Sequence, residues 1–247
     1  MLDFFFRHYD PWVDAFVVHD DNSTDGTRGV LERHPKVTVV PLVRVHADSW
    51  VRSEQHIYDR SWKQSVGVAD WIVAVNIDEH LYHPDIRGYL AGCATAGMTA
   101  IPALGYQMVT TRWPNPDSVL WRDHPEGAPW ASMSKIGIFN PNRIAETGFG
   151  PGRHEARLTG EVRLPERDAL LNLHYKYLGI DETLARHREL LTGLRETDIR
   201  MSWGHKYRWD RETLAADIDR IYRARVNVHA IADHHTSHGE PRWWRAA

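Results

Sequence analysis

Two acidic clusters in this chain each follow an apolar stretch. The octapeptide Asp20-Asp21-Asn22-Ser23-Thr24-Asp25-Gly26-Thr27 comes directly after Ala15-Phe16-Val17-Val18, and Asp78-Glu79-His80 follows the nearly unbroken apolar run Trp71-Ile72-Val73-Ala74-Val75-Asn76-Ile77. An α/β fold gathers its ligand groups at the C-terminal ends of its strands. Burying such acids in isolation costs several kcal/mol, so they are expected either to line a solvated crevice or to hold a cation. A plain capped turn is the alternative for the first cluster, because Ser, Thr or Asp caps a following helix over about 27–33 and Gly26 permits the tight turn. Capping, however, needs one such side chain and not three carboxylates.

In the order of its motifs the chain resembles the inverting family 2 glycosyltransferases with the GT-A nucleotide-sugar fold. It is most similar to their branch with an Asp-x-Asp-Glu-Phe acidic motif. The octapeptide is similar to a DDxSxDGT signature, Asn76-Ile77-Asp78-Glu79-His80 stands at the acidic motif, and Asn172-Leu173-His174-Tyr175 resembles the late His-Tyr pair that completes a metal site. Lys135 and Gly152-Arg153-His154 extend the resemblance, which covers roughly residues 1–180. It implies a divalent cation, Mn²⁺ or Mg²⁺, held by Asp78 and His174, with Asp20, Asp21 and Asn76 on the nucleotide. One carboxylate, one imidazole, two phosphate oxygens and water make an octahedral shell, which favours those ions over a closed zinc site. The sequence departs from the pattern at two places. Asn76 stands where the family carries a carboxylate, and the chain opens at Met1-Leu2-Asp3-Phe4, where the family has a strand and an Asn-Glu turn before the first helix. The expectation is a sheet without its first nucleotide-binding strand.

Glycosyl transfer with inversion needs a base within reach of the acceptor hydroxyl. Glu155 and His154 follow the turn Gly150-Pro151-Gly152-Arg153, which can project side chains into a cleft, and Asp123 in a proline-rich stretch is the reserve. Lys135, Arg52, Arg60 or Lys63 could neutralise phosphate, and Trp113, Trp121, Trp130 or Trp203 could stack on a sugar face. Asp25 is expected only to cap. His229, His234, His235 and His238 match no ligand spacing and are expected on a surface tail.

These groups have to be positioned by alternating elements. Strands over about 15–18, 37–40 and 71–77 alternate with helices over 27–33 and 53–68, giving the expected fold class: α/β, GT-A-like (Rossmann-like), a mostly parallel sheet flanked by helices. A helix over 85–93, an edge strand over 99–104 interrupted by Pro102, a long loop over 112–130, and strands over 134–139 and 170–174 follow, the last delivering His174 at its end. Residues 1–180 are expected to form the nucleotide-sugar and acceptor domain, and 181–247 a helical extension packed on it, including a helix from Arg211 to about Ala232 capped by Asp210.

At 247 residues with 42% hydrophobic content the chain can bury a substantial core. A formal charge of −3 without charged runs gives no reason to expect nucleic acid or an acidic membrane surface as partner. Cys93 is the only cysteine, so disulfides within the chain and cysteine-rich zinc sites are excluded. No apolar run approaches the roughly 20 residues of a membrane span, and the expected setting is the cytoplasm or the inner face of a membrane. The function these readings converge on is transfer of a sugar from a metal-bound nucleoside diphosphate sugar to a hydroxyl acceptor, whether a glycan, a lipid-linked sugar or a small metabolite. A homologue that binds nucleotide or carbohydrate without catalysis is the rival, supported by Asn76. A sugar nucleotidyltransferase ranks lower, for want of a Gly-rich basic loop near the start.

Overall fold

The computed structural model describes residues 1–238 and 242–245. Helix α1 (Leu2–Tyr9) buries Phe5, Phe6 and Tyr9 against Phe16 of β1 (Phe16–Asp20) and Leu31 of α2 (Thr27–Arg33). Strand β2 (Val37–Pro41) runs parallel to β1, with Phe16 opposite Val37, so the first acidic cluster lies in the β1–α2 turn of a β-α-β unit. This pair is a two-stranded sheet separate from the larger one. Helix α3 (Trp50–Arg60) starts at Ser49, whose hydroxyl accepts the Arg52 N–H, and continues as a 3₁₀ turn over Ser61–Ser65.

The larger sheet takes in β3 (Ile72–Val73), β4 (Glu79–Tyr82), β5 (Ala100–Thr110), β6 (Glu126–Pro129), β7 (Lys135–Phe139), β10 (Leu170–Leu178) and β11 (Val226–Asn227). Helix α4 (Ile86–Thr95) follows β4, the short α5 (Leu120–Asp123) precedes β6, and β8 (Ile144–Glu146) pairs with β9 (Thr159–Gly160) as a separate ribbon. In the larger sheet only β5 and β10 pair in parallel; the other ladders are antiparallel. The class is α/β as expected, but the sheet is mixed. The chain turns back after β5 and lays β6 and β7, joined by residues 130–134, in one direction along the same edge of β5, so both ladders are antiparallel.

β5 is the centre of the sheet and not an edge. It is flanked by β10 on one side and by β6 and β7 on the other, and Pro102 is accommodated where the β5–β7 register shifts between Ile101 and Pro102. Leu104, Tyr106 and Met108 pack with Leu171, Leu173 and Tyr175 against Phe4 and Val228, while Ile101 and Ala103 pack with Leu81, Ile138 and Leu170 in a second cluster. Burial on both faces accounts for their continuous apolar runs. The apolar segment 71–77 pairs with β7 through Ile72 and Val73, adds a bond from the Ala74 N–H to the Gly137 carbonyl at 2.8 Å, and then leaves the ladder for a turn closed by the Glu79 N–H and the Asn76 carbonyl at 3.0 Å.

The last part of the chain packs onto the sheet. Helices α6 (Ile180–Gly193) and α8 (Arg211–Arg223) share a cluster in which Leu184, Leu214 and Ile221 meet Val109, Ala128 and Tyr177. Asp198 of α7 (Glu196–Arg200) accepts the Ser49 hydroxyl at 2.5 Å and the Trp50 N–H at 2.8 Å, a buried carboxylate at the N-terminus of α3. Asp210 caps α8 through the Thr213 N–H at 2.8 Å, but that helix ends at Arg223 and not near 232, because Val226 and Asn227 pair with β6 as β11. The expected surface tail is overturned for His234 and His238. His234, at the start of α9 (His234–Ser237), meets the Tyr106 hydroxyl, and the buried His238 donates to the Gly105 carbonyl at 2.8 Å. Glu240, which the tail was expected to include, lies outside the described residues. Among the described residues no helix is long and apolar enough to cross a membrane.

His8 and His80 stack at 4.6 Å between ring centroids inside this core, and His8 shares a 2.8 Å hydrogen bond with the Leu81 carbonyl. Burial holds the His8 imidazole down at about 4 against an ordinary 6.5, and also pushes His80 well below its ordinary value. The unfolded chain therefore takes up these protons first as pH falls. Stability is full above pH 6.5 and is lost toward pH 4, by ~3 kcal/mol for His8 alone. The urea midpoint should fall steeply over this window, and less steeply in His8→Gln, which does not titrate; equal slopes would show that His8 is not the origin.

Candidate active site

The acidic turn is fastened from three sides. Antiparallel pairing sets Glu79 opposite His174 and Leu81 opposite Asn172, and the Tyr175 N–H donates to the Asp78 carbonyl at 2.7 Å. From α1, the Tyr9 hydroxyl donates to the Glu79 carbonyl at 2.8 Å and accepts the Leu81 N–H at 2.9 Å, so a side chain satisfies two backbone groups of β4. From below, Glu79 is buried between two cations. Lys135 Nζ lies 2.7 Å from Oε1, and the fully buried Arg153 guanidinium binds Oε2 while donating to the Ala74 carbonyl at 2.7 Å.

Burial opposes ionisation of Glu79, but Arg153 and then Lys135 outweigh it and hold the carboxyl down at about 2. Lys135, expected to reach phosphate, is instead spent on this pair. Arg153 sits at φ +58° behind Gly152 at φ +63°, with its guanidinium 4.4 Å from the centroid of the Tyr58 ring. The Tyr58 hydroxyl donates to the Asn76 amide oxygen, so this position faces a tyrosine in place of presenting a charge.

Asp78 and His174 come together above this base. Nε2 of His174 is 3.6 Å from Oδ2 of Asp78, and about a quarter of the Asp78 side chain is exposed. Burial raises the Asp78 carboxyl, yet His174, Lys176 and Arg186 together hold it well below the usual carboxylate range. The other ring nitrogen of His174 is 2.7 Å from Oε1 of Gln107, its register partner on β5. A carboxylate and an imidazole at this separation suit a hard divalent cation, since two ligand bonds of about 2.1 Å span at most ~4.2 Å. Among the described residues no group of three or more His, Cys, Asp or Glu side chains is placed to hold a metal ion, so Asp78 and His174 stand as a pair.

The remaining predicted residues fall into three sets. His154 lies beside the Glu79 group. Its Nδ1 donates to the Ser132 carbonyl at 2.5 Å, leaving Nε2 as acceptor, and burial of the ring followed by the nearby Lys135 charge lowers its pKa to about 4 although the residue's outer edge is exposed. Glu155 is exposed and its backbone carbonyl accepts the Gly150 N–H at 2.9 Å. Asp123 is drawn into α5 instead: it accepts the Val119 N–H at 2.8 Å and pairs with Arg122, contacts that lower its carboxyl to about 2. In the first cluster, Asp20 is buried and accepts the Ser23 N–H at 3.3 Å, Asp21 pairs with Arg44 at 2.5 Å, and Asp25 accepts the Thr27 N–H at 3.1 Å from the position before Gly26, which is the N-cap of α2 in place of the expected Asp25. The phosphate candidates do not gather here, for Lys63 pairs with Glu146 and Arg52 and Arg60 are exposed.

Four residues escaped the sequence reading. Gln107 is a lone polar residue in the apolar run of β5. Lys176 and Arg186 act on Asp78 from β10 and α6, Lys176 being held over the Tyr207 ring at 4.5 Å. Glu54 on α3 is a carboxyl that burial raises to about 7 despite the Arg153 and Lys135 charges. Of these, only Gln107 carried a readable signal, its polarity. A cleft of about 570 Å³ lined by Tyr82, Trp121, Arg122, Arg167 and His229 includes neither Asp78 nor His174. No family model matches the chain, and comparison with curated proteins gives no significant match.

Glu79→Gln would leave two buried cations facing a neutral amide and should cost about 3–5 kcal/mol in urea unfolding. Arg143→Gln, which breaks the exposed Arg143–Glu161 pair, should cost less than about 1 kcal/mol. Equal losses would show that the Glu79 group does not hold the turn.

Proposed function

We propose that the chain is a GT-A-like glycosyltransferase that moves a sugar from a metal-bound nucleoside diphosphate sugar to a hydroxyl acceptor with inversion. The observation that carries this reading is the convergence of Asp78 and His174 at 3.6 Å beside the end of an apolar segment. In it, Asp78 and His174 hold Mn²⁺ or Mg²⁺, which neutralises the diphosphate leaving group. Lys176 and Arg186, already coupled to Asp78, add positive charge on the same side. Asp20 and Asp21 take the nucleoside, with Arg44 fixing the orientation of Asp21.

The acceptor oxygen attacks the anomeric carbon as its bond to the phosphate oxygen breaks, and the acceptor proton passes to a base. His154 is the first choice, because its Nδ1–H is committed to Ser132 and its Nε2 accepts. Glu155 follows, and Asp123, paired with Arg122, ranks last. Glu54, with a carboxyl near neutrality, joins them as a fourth candidate. The second reading, a binding protein without turnover, is favoured by Asn76, whose amide oxygen is taken by Tyr58 and adds no charge to the cation.

Calorimetric titration with nucleoside diphosphate sugars, with and without Mn²⁺, tests the site. Asp78→Ala should abolish metal-dependent donor affinity, and unchanged affinity would remove Asp78 from the cation. Once a donor and acceptor pair is found, His154→Ala, Glu155→Gln, Glu54→Gln and Asp123→Asn separate the bases. The true one should lower turnover roughly 10²-fold or more at saturating substrate while leaving donor affinity intact. Donor binding by the parent without hydrolysis or transfer under any condition would favour the binding protein.

A further inference from the structure

We infer that Gln107 is a positioning residue that fixes the tautomer of His174 and thereby turns its Nε2 lone pair toward Asp78. Gln107 is fully buried in the centre of β5, directly opposite His174 in the parallel β5–β10 ladder. Its Nε2 lies 2.9 Å from the Met108 carbonyl and 3.1 Å from the His174 carbonyl. Both are pure acceptors, so the amide nitrogen has to be the group that faces them and the amide oxygen has to face the other way. That oxygen is 2.7 Å from His174 Nδ1. An amide oxygen only accepts, so Nδ1 carries the proton.

In the neutral ring the remaining nitrogen, Nε2, then has a lone pair, and it stands 3.6 Å from the Asp78 carboxylate. In that neutral form two acceptors face one another, and only the ring protonated on both nitrogens places a donor between them. The arrangement is poised for a positive centre, a proton or a cation, to bridge them. With the opposite tautomer, Nε2–H would simply donate to Asp78 and shut the cation out. Two carbonyls on neighbouring strands thus dictate, through one amide, which atom of His174 faces the site. The one-residue alternation of a strand makes the device dependent on register, since a shift of one position in β5 would turn Gln107 to the opposite face.

This inference concerns the tautomer of the unliganded protein, and only its consequence for cation affinity rests on the function proposed above. The test is ¹⁵N NMR of the histidine side chains, with His174 assigned by substitution, recorded well above the ordinary imidazole pKa of about 6.5. The parent should show His174 protonated at Nδ1. Gln107→Met, of similar length and without hydrogen-bonding groups, should shift it toward the Nε2–H form. Mn²⁺ alone, titrated by electron paramagnetic resonance, should bind the variant roughly 10–100-fold more weakly.

A parent ring protonated at Nε2 would overturn the proposal without any variant, so a misfolded Gln107→Met does not protect it. An unchanged tautomer in folded Gln107→Met would overturn it equally. If the parent ring is Nδ1–H and the variant's is not, while neither takes up Mn²⁺, the positioning role stands and the metal reading fails.

Discussion

One buried carboxylate with two cations on it holds the candidate site in place. Glu79 is clamped by Lys135 from β7 and by Arg153 from the turn after β8, and through them the acidic turn, the central sheet and the His154 loop are bound into one unit. Charges buried like this repay their desolvation only when every partner is present. The energetic consequence is cooperative: neither cation has another carboxylate within ion-pair reach among the described residues. The group at the surface of this unit, Asp78, is left to His174 and to the solvent.

The neighbouring carboxylates thus have opposite environments. Glu79 points down and is structural, whereas Asp78 points toward His174 with a quarter of its side chain exposed. Antiparallel pairing fixes Glu79 opposite His174, and the turn closed by the Glu79 N–H and the Asn76 carbonyl immediately before β4 brings Asp78 to the His174 ring. Tyr9 of α1 fixes the other edge of β4, so an N-terminal helix whose rings fill the core also sets the height of the acidic turn.

How much of this was legible follows from how far apart in sequence the partners are. The two acidic clusters, helix 27–33 and the Asp210 cap were readable because strand ends, turns and caps are local events. The pairing of Asp78 with His174 was readable only through resemblance, and their closeness depends on a ladder joining segments about 95 residues apart. Gln107 showed in sequence only as a polar residue in an apolar run, since its role exists only once β5 and β10 are in register. Lys135 misled for the same reason, because a basic residue reads as a ligand group until its buried partner is known. Pro102 misled locally: it marks an edge unless a register shift absorbs it, and here one does.

The account stands on the space between Asp78 and His174 being the seat of a divalent cation. Crystals soaked with Mn²⁺ and a nucleoside diphosphate, with diffraction recorded at the manganese edge, test this directly. The predicted result is one anomalous peak bonded to Oδ2 of Asp78 and Nε2 of His174 and to the diphosphate. Nucleotide density at this site with no anomalous peak beside these two atoms, or manganese bound only elsewhere, would contradict it.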